Sequence, residues 1–182
     1  MNNLGQPLVY SIAPSNPTEG QGMHEVVSSF IDVNFHKQRM KTREDVTTLL
    51  ILVGDRIFCC DEVVTATDAT TQEVIGLCTM SSKGEQQNGQ AGIVATVVKG
   101  DRQKQGIGRE LLIRAIDRLQ ERMTVNETRG PIHIDCVSRA GVKLVRRLLQ
   151  ERPDYEDALE IRDLSSFLDV LDAEQSAPKG GE

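Results

Sequence analysis

The segment Gln103-Lys104-Gln105-Gly106-Ile107-Gly108 sets two glycines two residues apart, immediately ahead of an amphipathic stretch and among the cations Arg102, Lys104 and Arg109. A helix that starts here leaves its first backbone N–H groups without internal partners. The helix dipole adds partial positive charge at the same point. Glycine keeps side chains away from those donors, so a phosphate can reach them. A turn of this composition also arises where a strand and a helix simply pack closely. Two phosphate-binding patterns do not fit. A P-loop requires Gly-Lys-Ser/Thr, and Gly108 is followed by Arg109-Glu110. A dinucleotide fingerprint requires Gly or Ala where Leu111 stands.

The remaining reactive side chains are dispersed. Cys59, Cys60, Cys78 and Cys136 form no C-x-x-C pair and have no histidine at ligand spacing, which argues against a metal site or a disulfide framework. Three of them lie in apolar runs, where a thiol acts as a small core residue. His133 and Asp135 alternate on one face of a candidate strand, where they either approach a substrate or sit half-buried and satisfied. Asp61, Glu62, Asp68 and Glu73 either attract a cation or form a solvated face. The stretch Ala91 to Val98 holds no Glu, Asp or His, so no general base is assigned and the catalytic residues stay unknown.

Composition narrows the classes further. Aromatic residues are 3% of the 182, with no Trp, which gives no base-stacking platform. The net charge of −6 is opposite to that of a nucleic-acid binder. It suits a cationic partner such as an amine, or solubility alone. The longest apolar run, Leu49 to Val53, is too short to span a membrane, and the chain opens with no basic-then-apolar leader. A cytoplasmic protein without a membrane partner is expected; a homodimer stays open.

The elements that would position these residues follow from periodicity. Residues 7–13 alternate as a first strand. From Thr18 the pattern turns helical through Phe35. A second helix is expected from Thr42, although Leu49 to Val53 reads equally as a strand. Glu62 to Asp68 and Glu73 to Met80 are rich in β-branched residues and form a hairpin signal. Ala91 to Val98 reads as a buried central strand. Gly106 to Met123 carries Ile107, Leu111, Leu112, Ala115, Ile116 and Leu119 on one side of a helix. A strand at 132–137, a helix from Ser138 that stops before Pro153, a strand at 158–164 and a short helix at 165–171 complete the order. The expected architecture is one α/β domain over residues 7–172, with a mixed, mostly antiparallel sheet flanked by helices on both faces. Residues 1–6 read as a tail and 173–182 as a disordered one.

The pattern Gln103-x-x-Gly106-x-Gly108 resembles the central motif of the GNAT superfamily of N-acetyltransferases. Val98, eight residues before Gly106, and the pair Leu111-Leu112 extend the resemblance, and the element order agrees over most of the chain. The resemblance implies acetyl-coenzyme A as co-substrate, no metal, and a small-molecule or peptide amine as acceptor. It implies that backbone N–H groups of Gln103, Lys104, Gln105, Gly106, Ile107, Gly108 and Arg109 hold the pyrophosphate. Thr96, Val97 and Val98 would pair with the pantetheine arm, and the Val98 N–H would polarise the thioester carbonyl. The family often reads Asn-x-x-Ala-x-x-Leu-Tyr in its second half. Here Ser138, Gly141, Leu144 and Val145 stand at those positions, so the Tyr that protonates the leaving thiolate is absent. Ser138 contacts the pantetheine arm or caps its helix. Two functions are therefore open: a direct-transfer N-acetyltransferase, or a degenerate acyl-coenzyme A-binding sensor or interaction protein.

Overall fold

Alternation of β-branched and small residues builds the sheet, and leucine- and isoleucine-rich stripes build the helices that cover it. The computed structural model describes residues 7–14, 60–82, 91–127, 129–136 and 139–163. Expected helices at 18–35, from Thr42 and at 165–171, together with both tails, lie outside the described residues. Among the described residues six strands run β1 (Leu8–Pro14), β2 (Glu62–Asp68), β3 (Val74–Ser81), β4 (Gly92–Val98), β5 (Ile132–Cys136) and β6 (Leu159–Asp163), in that spatial order. The first four pair antiparallel, and β4, β5 and β6 pair parallel. This is the mixed, mostly antiparallel sheet that the sequence leads one to expect.

The parallel pairs need crossovers, and helices supply them: α1 (Ile107–Val125) joins β4 to β5, and α2 (Arg139–Glu151) joins β5 to β6. Both crossovers step the same way across the sheet, so right-handed connections put both helices on one face. There Leu111, Leu112, Ala115, Ile116 and Leu119 of α1 and Val142, Val145 and Leu148 of α2 share one core with Val64, Cys78, Met80, Ile93, Ile132 and Ile134. The opposite face of the sheet is buried too, at Val63, Thr65, Leu77, Thr79, Val97 and His133.

Two glycines let backbone and side chains approach closely. A Cβ on Gly76 of β3 would stand 3.0 Å from Leu111 Cδ1 and from the Val97 carbonyl oxygen. Only glycine lets the first turns of α1 settle this near the sheet. A Cβ on Gly92, which opens β4, would stand 3.1 Å from the His133 carbonyl oxygen and 3.6 Å from the His133 Cβ.

Candidate functional site

The strongest feature of the sheet is an incomplete pairing. Among the described residues β4 and β5 pair only at Gly92–His133 and Ile93–Ile134. β5 continues to Cys136 alongside β6, whereas β4 runs on to Val98 alongside β3. One residue, Val94, is extra between the rungs Met80–Ile93 and Thr79–Ala95. Such a bulge bends its strand. The two central strands therefore part, and the last residues of β4 keep an edge that β5 does not cover. The Lys99 N–H bonds to the Ile75 carbonyl on the β3 side at 2.9 Å. Alternation then turns the N–H groups of Val98 and Thr96 to the uncovered edge.

The edge leads into the glycine loop. A short 3-10 turn, Gly100–Arg102, follows β4. Lys104 and Gly106 then take left-handed conformations, at φ 63° and 82°. Turns of this kind line up successive N–H groups as anion-binding nests. Gln103 to Gly106 are exposed. Gly106 occupies the N-cap position of α1, with no side-chain cap among the described residues. A Cβ on Gly106 would meet nothing within 4 Å. The helix thus begins against open space with its donors uncommitted, which suits an anion as large as pyrophosphate. Gly108 has a different role. A Cβ there would touch Leu144 Cδ2 and Val98 Cγ2 at ordinary distances, 3.5 and 3.6 Å.

Several expected roles change once the side chains are placed. The Gln103 amide donates to the Val98 carbonyl at 3.1 Å, so it fastens the loop to the end of β4. Arg102 faces buried Asp68 at 3.8 Å, and Arg109 donates to Glu151, so neither is an uncommitted cation. Lys104 forms no ion pair among the described residues. Four acids read as a cation-attracting or solvated face are instead occupied. Asp61 accepts from Ser82 and Glu73 pairs with Lys99. Asp68 accepts from the N–H groups of Thr70 and Thr71, which hold its carboxyl below the usual range. Glu62 accepts from Arg118 and Arg122.

Thr96, Val97, Val98 and Gln103 through Arg109 thus form one continuous tract at the parted strands, while Ser138 lies outside the described residues. Val145 is 2% exposed, inside the core beneath α2, and brings no hydroxyl group. Tyr155 is no substitute. It is buried, its hydroxyl donates to Asp117, and the Arg152 guanidinium lies 4.1 Å from its ring centre. Burial, and then the Asp117 carboxylate, push its phenol well above the ordinary value. Cys78 and Cys136 are free thiols raised by burial to about 12 and about 11, so neither supplies a thiolate at neutral pH. No group of His, Cys, Asp and Glu that could hold a metal occurs among the described residues.

The sequence alone did not single out Gly76 or Gly92, nor the turn that the Asp68 carboxylate caps. A glycine inside each strand pattern, and an Asp before a Thr-Thr turn, were the available signals.

Comparison with known proteins bears on this geometry. Residues 34–130, more than half of the chain, match the family model described as Acetyltransferase (GNAT) family. Curated proteins give no significant match. A Pyrococcus furiosus structure described as an acetyl transferase is similar at TM-score 0.50 and 14% identity, covering 76% of this chain and 91% of that one. A Pyrococcus horikoshii acetyltransferase structure is similar at 0.47 and 20% identity, covering 80% and 44%. An aminoglycoside acetyltransferase from an uncultured soil sample, in complex with sisomicin, gives 0.41 and 15% over 96% and 90%. At 14% identity the Pyrococcus furiosus likeness speaks for the fold alone.

Proposed function

That the chain belongs to the acetyltransferase (GNAT) family is the premise from which we propose that it transfers an acetyl group from acetyl-coenzyme A to a primary amine. The observation that carries this reading is the parting of β4 from β5 after Ile93, with the uncovered β4 edge running straight into the uncapped start of α1. In this reading the N–H groups from Gln103 to Arg109 hold the pyrophosphate. The edge at Thr96 to Val98 pairs with the pantetheine arm as an added strand would. Two donors face that edge. Val98 lies near the loop, and Thr96 lies about 7 Å deeper along the strand. The arm carries two amides, which takes it past Val98. The Val98 N–H then binds the arm, and the Thr96 N–H, in place of the Val98 N–H that the resemblance implies, meets the thioester carbonyl and stabilises its developing negative charge. The amine attacks the carbonyl carbon, a C–N bond forms, the C–S bond breaks, and the thiolate leaves.

The acceptor is a small-molecule or peptide amine. Cys60, Cys78 and Cys136 are in no disulfide among the described residues, which agrees with a reducing cytoplasmic setting. A second reading, an acyl-coenzyme A sensor without turnover, draws on the aliphatic Val145 and on Tyr155 being committed to Asp117.

Calorimetric titration with acetyl-coenzyme A tests both readings. Saturable binding is expected, and no heat from the native protein defeats both. A screen of amines with mass detection of acetylated product then separates them, since a sensor yields none.

A further inference from the structure

We propose that His133 accepts the proton of the acceptor amine, with Glu160 behind it; this rests on the acetyl-transfer reading above. β5 alternates between two faces. Ile132, Ile134 and Cys136 enter the core beneath the helices, and His133 and Asp135 face the other way. His133 is 3% exposed, yet neither ring nitrogen has a hydrogen-bond partner among the described residues. Buried polar groups are almost always partnered, and a histidine needed only for packing could be replaced by an aliphatic residue. An imidazole kept buried and unpartnered points to a partner that arrives with the substrate.

Its position fits that partner. His133 pairs with Gly92, and the next rung, Ile93–Ile134, is the last before the strands part. The ring stands at the base of the opening, beside a residue with no side chain. Thr96, assigned above to the thioester carbonyl, lies roughly 10 Å farther along β4, counting three strand steps and the extra Val94. That span holds an amine nitrogen and one water, the reach over which a general base works. Nδ1 faces Glu160 Oε2 at 3.6 Å, too far for a hydrogen bond but close enough to stabilise an imidazolium. Nε2 is the nitrogen left for the substrate side. Glu160 also faces Arg162 at 3.5 Å, and Asp135 is the other described titratable group on this face of β5. β4 contributes no titratable group.

The step balances without a further reagent. Nε2 takes one proton from the bound ammonium, directly or through the water, and frees the nitrogen lone pair. Attack forms the C–N bond and expels the thiolate, which takes the second nitrogen proton. His133 returns its proton to solvent.

The test uses the full chain with acetyl-coenzyme A, and with n-butylamine and spermidine as acceptor probes. For His133→Gln, acetyl-coenzyme A binding by calorimetry is expected within twofold of native, with kcat for acetylated product reduced about a hundredfold or more. Glu160→Gln, an exposed change that leaves folding intact, is expected to lower kcat about tenfold with KM for acetyl-coenzyme A unchanged. His133→Gly should be rescued by added bases in the order 4-methylimidazole, imidazole, 4-bromoimidazole, an order of basicity that a purely structural cavity would not follow. The proposal fails if either Gln variant turns over within twofold of native, or if rescue tracks size. It also fails if a native protein that binds acetyl-coenzyme A acetylates neither probe. Absence of binding removes the transfer reading itself.

Discussion

At its N-terminal end α1 has no capping side chain: Gly106 is left-handed, Gln103 to Gln105 before it are exposed, and a Cβ on Gly106 would meet nothing within 4 Å. Near its other end the same helix is fastened. Arg118 donates two hydrogen bonds to Glu62 at 2.8 and 3.1 Å, and Arg122 adds a third at 2.8 Å, all on a carboxylate that is 5% exposed. Charge-assisted bonds of this kind contribute about 1.5–3 kcal/mol each. The contrast teaches how a helix can keep unsatisfied donors without fraying. Packing along its length and the fastened end fix its axis, so the open end holds its shape without a capping side chain.

The sharpest way to break the contrast is to put an anion permanently at the open end. Gly106→Glu is expected to weaken acetyl-coenzyme A binding at least a hundredfold, since placing like charges together costs several kcal/mol. Its melting temperature should fall only slightly, because the left-handed φ of 82° costs a non-glycine residue about 1 kcal/mol. Calorimetry and thermal unfolding read the two effects separately.

Glu62→Gln attacks the fastened end and should show the inverse profile, a loss of about 2 kcal/mol in urea unfolding with binding retained. Burial by itself would raise the Glu62 carboxyl, but the hydrogen bonds from Arg118 and Arg122 outweigh it and hold the group below its ordinary 4.5. A depressed folded value means that the contribution is complete above the unfolded value and fades as pH falls through the folded one. Native stability should therefore drop as pH goes below 4.5, and Glu62→Gln should flatten that part of the curve.

Between the two ends lies the seat of the helix. Gly76→Ala puts a methyl 3.0 Å from Leu111 and from the Val97 carbonyl. The expected cost is about 1–3 kcal/mol by denaturation, with weaker donor binding because both the β4 edge and α1 must shift.

The smallest effect belongs to Gly108→Ala, whose new methyl finds ordinary contacts with Leu144 and Val98. Stability within about 0.5 kcal/mol of native and unchanged binding are expected. A large binding loss there would mean that Gly108, like Gly106, lines the anion site.

Much of this was legible beforehand because it is local. The stripe Ile107, Leu111, Leu112, Ala115, Ile116 and Leu119 repeats at helical spacing, and all six residues are buried as that spacing requires. The strands at Glu62–Asp68 and Gly92–Val98 fell where β-branched runs placed them. The glycine loop could be recognised because its chemistry is carried by consecutive backbone groups. That Arg102 and Arg109 are paired was not legible, since their partners Asp68 and Glu151 lie far along the chain. His133 was equally open to a bland reading. Alternation gave its face, but not its burial or the absence of a partner.

The sequence by itself determined which segments become strand or helix and which loop can receive an anion, because propensity, periodicity and glycine placement act within a few residues. Only the tertiary structure decided that β4 leaves β5 after Ile93, that Glu62 binds two arginines of α1, and that His133 stands unpartnered at the base of the opening. Those outcomes depend on register, a bulge and burial. Each is set by side chains and backbone that meet only when distant parts of the chain pack together.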